Sequence, residues 1–204
     1  EVARHPRTHE TLAATPALFT EAGELMPKEQ WLVDYCVKQK AQGRRVLVYT
    51  SYTGKRDTCS RLKSLLSEAG LKPAVLRSTV ETGKREEWVA DQVDRGIDVL
   101  ICNPELVKTG LDLLEFPSIV FMQTGYNVYT LMQAARRSWR IGQLHPVEVI
   151  FLGYALSAQS DCLALMSEKI AVTQSTSGDI PESGLDAVNQ RVDSLEVSLA
   201  KNLI

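Results

Sequence analysis

The stretch "QAARRSWRIGQ", Gln133–Gln143, crowds Arg136, Arg137 and Arg140 into a chain whose net charge is −2. On a single helix, Gln133, Arg137 and Arg140 follow i, i+4, i+7 and share one stripe. Val128, Met132, Ala135 and Trp139 form a separate apolar stripe expected to face the core. A guanidinium stays charged and binds in a fork, so such a stripe suits phosphate oxygens. No acidic residue lies within a turn of these arginines, and local pairing is not expected to neutralise them. The alternative is a solvated basic face.

A second cluster lies in "CNPELVKTGLDLLEFPS", Cys102–Ser118, where Lys108, Thr109, Gly110 and Asp112 combine a cation, a hydroxyl, a flexible point and a carboxylate. The segment leaves the carboxyl end of a buried strand, the place where open α/β sheets bind ligands. It reads either as a loop touching a ribose or phosphate, or as an ordinary polar surface loop. "TGKR" occurs at Thr53–Arg56 and Thr82–Arg85, but neither copy makes a phosphate loop. Tyr49 and Ser78 stand where the first glycine is needed, and Arg56 and Arg85 where a hydroxyl must hold magnesium. Each copy is expected to be an ordinary turn into a helix, whose first amides could alternatively hold a backbone phosphate.

The elements that must carry these clusters alternate. A helical pattern runs from Pro27 to a stop at Gly43, with Trp31, Leu32, Tyr35 and Cys36 at three-to-four spacing. "RVLVYTSY" is a dense apolar run, the mark of a strand buried on both faces. A helix with Cys59, Leu62, Leu65 and Leu66 inward ends at Gly70. Then follow the strand "PAVLRS", a helix over Lys84–Asp94 and the strand "DVLIC". After the long loop come "SIVFM", a helix to about Trp139, the strand "VEVIFL" and a helix from about Ala158 to Val172. This order predicts an α/β fold, a mostly parallel sheet flanked by helices on both faces. The expected divisions are a lead-in segment over 1–26, the α/β domain over 27–172, and a hinge with a C-terminal helix over 173–204. In that last helix Leu185, Val188, Val192, Leu195 and Leu199 fall at helical spacing, for docking on this domain or on another.

A chain of 204 residues can bury a full core. Its charge excludes coating of nucleic acid by bulk attraction, so any polyanion contact must be local. Cys36, Cys59, Cys102 and Cys162 lie far apart without metal-ligand spacing, so no metal site is expected and reduced thiols fit a cytoplasmic location. No apolar run reaches the ~20 residues of a membrane span. The chain opens on Glu1 and is expected to be a piece of something longer.

"QAARRSWRIGQ" resembles motif VI of superfamily-2 helicases, in the form found in Swi/Snf-type DNA translocases. "RVLVYTSY" resembles motif IV, "KTGLDL" motif V, and "LRSTVETGKREEWV" the segment between them. The resemblance covers roughly Arg45 to Leu152. It implies one of two RecA-like lobes, the C-terminal one of a divergent, bacterial member. ATP and magnesium would be held mainly by an absent first lobe, which carries the Walker A and B boxes. By position, Arg137 and Arg140 match the arginines that reach the triphosphate, with Arg140 as arginine finger, and Gln133 matches the opening glutamine. Gly110 and Asp112 match positions near the ribose, while Ser51, Thr53 and Thr109 are expected against the DNA backbone. Pro104 and Val107–Lys108 depart from the family's usual hydroxyl and glycine pair, so Lys108 is expected to supply a direct charge there. The implied function is the second motor lobe of an ATP-dependent helicase or translocase on double-stranded DNA, inactive as an isolated piece. An RNA helicase lobe and a non-catalytic binding module are the alternatives.

Overall fold

Five strands, β3 to β7 in chain order, build one parallel sheet. They are β3 (Val46–Tyr49), β4 (Pro73–Leu76), β5 (Val99–Cys102), β6 (Ser118–Phe121) and β7 (Glu148–Phe151), ordered β4-β5-β3-β6-β7. Before them a two-stranded antiparallel ribbon joins β1 (Val2–Arg4) to β2 (Thr11–Ala14). The helices are α1 (Pro27–Ala41), α2 (Thr58–Glu68), α3 (Arg85–Asp94) and α4 (Val128–Ala135), and residues 159–167 are helical. The computed structural model describes residues 2–4, 11–14, 24–51, 57–107, 110–123, 128–157 and 159–167. Residues 173–204, with the expected hinge and terminal helix, lie outside them. Leu25–Gly153 forms one unit; Glu1–Glu24 and Tyr154–Ile204 form another.

The apolar runs become strands because both faces of the sheet are covered. Every residue of β3, β5 and β6 is buried. In register across the sheet, Val75, Ile101, Val48, Val120 and Ile150 form one row. This row packs with Leu32 and Cys36 of α1 and Cys59, Leu62 and Leu66 of α2. The next row, Leu76, Cys102, Tyr49, Phe121 and Phe151, points to the opposite face because strand side chains alternate. There the Tyr49, Phe121 and Phe151 rings stand in series, with centroids 4.8 and 4.9 Å apart. The Tyr49 hydroxyl donates to the Ala134 carbonyl at 3.1 Å and so ties the end of α4 over this face.

In α1 the buried positions are Glu29, Leu32, Cys36 and Gln39. Trp31 and Tyr35, expected with the apolar set, instead stack on one another at the rim, 5.0 Å between centroids. The Tyr35 hydroxyl donates to Glu148 on the edge strand β7 at 2.6 Å. Buried Glu29 is held by Arg61 at 2.5 and 2.8 Å and by the Met26 amide at 2.9 Å. Burial pushes its carboxyl up, and these three contacts outweigh that and keep it below the usual range. At the amino edge Arg44 donates to Gln39, Ser118 and the Pro146 carbonyl at 2.9, 3.0 and 2.8 Å, binding α1, β6 and the approach to β7 together. All four cysteines are free and buried, and burial pushes the Cys36 thiol up to about 12.

Phe121 is fully buried between two aromatic neighbours. Phe121→Ala is expected to lower stability by about 3–5 kcal/mol in chemical unfolding; a loss under ~1 kcal/mol would show that the ring series does not anchor this face.

Candidate functional site at the carboxyl edge of the sheet

Where β3, β5 and β6 end, the chain turns polar and its loops are laced together. The Thr50 amide continues the ladder to the Cys102 carbonyl at 3.0 Å, and the Met122 amide does so to Tyr49 at 3.0 Å. The Gln123 side-chain oxygen accepts from the Thr50 hydroxyl at 2.9 Å and from the Ser51 amide at 3.1 Å. Asn103 donates to the Ser51 carbonyl at 3.4 Å and caps the next turn by accepting from the Glu105 amide at 2.9 Å. Ser51 therefore sits at the crossing of three strand ends, half-buried. Thr50, Asn103 and Gln123 were not anticipated. The available signal was a polar residue within two positions of the end of each buried strand, where a backbone group needs a partner. Thr53 lies outside the described residues, as do Lys108 and Thr109.

Of the two "TGKR" copies, Thr53–Arg56 is outside the described residues, and Thr82–Lys84 forms a single 3-10 turn into α3. Arg85 is buried and donates to the Val80 carbonyl at 3.2 Å and the Leu106 carbonyl at 2.9 Å. It joins the β4–α3 connection to the loop after β5. Nearby, Asp57 caps α2 by accepting from the Ser60 amide at 3.1 Å, and Arg77 donates to it at 2.8 Å. The Ser60 hydroxyl, the Arg77 guanidinium and the Ser60 amide pull the Asp57 carboxyl down to about 2.

The arginine segment departs from its helical wheel. α4 stops at Ala135, and residues 136–142 run in turns and bends. Gln133, Arg137 and Arg140 therefore do not share one exposed edge: Gln133 is half-buried, Arg137 is buried and Arg140 is exposed. Trp139, expected in the core, is 69% exposed, and Ala134 is buried instead. Trp139, Ala135, Arg136, Val147 and Val149 line an open cleft of about 250 Å³. The expectation of unneutralised arginines also fails for Arg140, which forms an ion pair with Asp112. The carboxylate comes from 28 residues upstream, beyond the reach of any local count.

What replaces the helix is a clip between two loops. The Leu113 amide donates to the Arg137 carbonyl at 3.1 Å. The Gln143 side-chain amide donates to the Leu114 carbonyl at 2.8 Å and the Ser138 carbonyl at 2.9 Å, and its oxygen accepts from the His145 amide at 3.0 Å. Leu113 and Phe116 are buried beneath. Gly142 makes the turn back with φ of 102°, a conformation L side chains rarely adopt, and any Cβ there would sit 3.6 Å from Leu114. Gly110 opens the other loop with φ of 93°. The structure thus brings together Asp112, Arg137 and Arg140, with Gly110 entering the Asp112 loop. Gln143, which the sequence reading left without a role, is the bolt of the clip.

The family comparison decides what this edge belongs to. The helicase conserved C-terminal domain family matches residues 27–142, more than half of the chain. This chain is a helicase C-terminal domain. Among solved structures, the C-terminal part of the Fun30 ATPase domain resembles it with a TM-score of 0.62 at 19% identity, over 89% of this chain and 54% of that one. The helicase domain of Pyrococcus furiosus Hef gives a TM-score of 0.46 at 24% identity, over 63% and 25%. The chain thus spans about half of the Fun30 structure and a quarter of the Hef one. No curated protein matches it. The helicase domain has a RecA-like α/β fold, a five-stranded parallel sheet with helices, and resembles in fold the C-terminal part of the Fun30 ATPase domain. Among its described residues no helix is long and apolar enough to cross a membrane, and no three metal-ligating side chains cluster.

The clip predicts its own weak point. Gln143→Ala leaves the Leu114 and Ser138 carbonyls without their donor, an expected loss of about 1–3 kcal/mol. Amide exchange at Leu113 should accelerate in that variant; unchanged protection there would mean that Gln143 is not what holds the two loops.

Proposed function

We propose that this domain is the second motor lobe of an ATP-dependent translocase or helicase of Swi/Snf type, acting on double-stranded DNA, with Arg140 as its arginine finger. The observation that carries the reading is an exposed guanidinium mounted on a fixed turn at the carboxyl edge, with the exposed Asp112 carboxylate beside it. Such a donor set fits a phosphate. Guanidinium forks match its oxygens, and exposure lets a facing lobe bring the anion in. ATP supplies the phosphoryl group to be transferred. In this reading the first lobe holds magnesium and most of the nucleotide.

Arg140 would stabilise charge on the transferring group, the service that dominates phosphoryl-transfer catalysis. Arg137, buried and anchored through its carbonyl to Leu113, fixes the start of the turn and stands one step behind Arg140. Gln133, half-buried on α4, would orient the arginine segment. Gly110 lets the Asp112 loop turn close to a ribose. Further support comes from Trp139, Ile141 and Leu144, which flank the turn with 69, 104 and 89% of their surface exposed. Large apolar side chains grouped this way suit a face that another lobe covers. On the DNA side, Ser51 at the end of β3 would meet backbone phosphates, and by their place in the sequence Thr53, Lys108 and Thr109 would do the same. Arg77 at the end of β4 adds a cation to the same edge.

Two measurements test the reading in the two-lobed protein. Arg140→Ala should lower ATP turnover by about a thousandfold or more while the circular dichroism spectrum stays the same; turnover like the wild type would overturn the finger assignment. Duplex DNA affinity should fall steeply as salt rises, because backbone contacts release counterions. Binding that ignores salt, or that prefers RNA of the same sequence, would overturn the duplex-DNA assignment.

A further inference from the structure

We propose that Asp112 is a positioning residue for Arg140: its carboxylate holds the guanidinium in place between turnovers and yields it to the incoming phosphate. The inference rests on the finger reading of Arg140 and deepens it. It begins from the ion pair itself, which joins the loop after β5 to the turn after α4. The two backbones that carry the pair are not free to separate. The Leu113 amide, one residue after Asp112, is bonded to the Arg137 carbonyl, and Gln143 grips both the Leu114 carbonyl and its own turn. Left-handed Gly142 returns the chain so that Gln143 can do so. Asp112 and Arg140 are therefore presented to each other by a rigid frame, and only their side chains remain to choose partners.

The pair is also weak enough to exchange. Both side chains are 45% exposed, and an ion pair in that setting is screened by water and salt. A polyphosphate offers more charge and more acceptor oxygens than one carboxylate, so the guanidinium moves to it when it arrives. Without the carboxylate, a long, flexible arginine side chain must be ordered anew in each cycle, at an entropic cost. Asp112 meets Arg140 in this structure, whereas a ribose contact would leave the arginine unattended. The two roles make different predictions.

The test is a double-mutant cycle on the two-lobed protein, with ATP turnover read under steady-state and single-turnover conditions. Asp112→Asn should lower kcat roughly ten- to hundredfold through misplacement of the finger, with KM for ATP changed by less than about twofold. Asp112→Glu should recover part of that loss. In an Arg140→Ala background, Asp112→Asn should cost nothing more, since a residue acting through Arg140 has nothing left to act on. If Asp112→Asn leaves kcat unchanged, or costs as much without Arg140 as with it, the proposal falls while the finger reading stands. A rise in KM that is absent with 2′-deoxy-ATP assigns Asp112 to the ribose and also overturns it. Full turnover in Arg140→Ala alone removes the finger reading and this proposal with it.

Discussion

Strands buried on both faces carry no charged side chains, and that constraint shapes the carboxyl edge of this domain. β3, β5 and β6 read VLVY, VLIC and SIVF, and all their residues are buried. Polar chemistry has to begin within a residue or two of each strand's end. There the backbone still needs partners and water is scarce, so side-chain amides and hydroxyls serve first as structural donors and acceptors. Gln123, Asn103 and Thr50 are spent in this way. The exposed charged groups Arg140 and Asp112 stand one loop further out.

Magnitudes separate the frame from the working part. Each backbone-directed hydrogen bond is worth about 1 kcal/mol net, and more is lost if a buried carbonyl goes without a donor. The Gln143 amide serves two carbonyls at once, above buried Leu113 and Phe116. An ion pair with both partners 45% exposed contributes at most ~1 kcal/mol. The fixed part of the clip is therefore Gln143 with the Leu113–Arg137 backbone bond, not the ion pair that first draws attention. Stability resides in neutral amides, and the charges are left free to change partners.

The same distinction explains what the sequence could reveal. The five strands of the sheet and α1 to α3 were legible because their positions follow from local runs and spacing: β-branched stretches for the sheet, and buried residues three and four apart for the helices. Motif VI was legible as a string, and the RecA-like second-lobe fold followed from it. Its geometry was not legible. A wheel drawn from Gln133 to Arg140 assumes that the helix continues, and nothing local forbids it, since Ala, Arg, Ser and Trp all tolerate helix. The chain instead turns at Arg136, and the turn is bonded to Leu113, Leu114 and Asp112, more than twenty residues upstream. Periodicity cannot register such partners. The ribbon of β1 and β2 escaped notice for another reason: strands of three and four residues are too short to show alternation.

The partner of Arg140 was hidden by the same long-range logic, and its identity changes the electrostatic argument. Counting acidic neighbours along the helix suggested a cation held bare for a ligand. A bare, exposed arginine in water, however, samples many rotamers and meets solvent anions of every kind. The Asp112 carboxylate beside it narrows that ensemble without burying the charge. Because the carboxylate belongs to the loop after β5 and the guanidinium to the turn after α4, any displacement of one loop is felt at the other through the clip. The turn after α4 and the Asp112–Leu114 stretch are thus joined by two backbone-directed bonds and one ion pair.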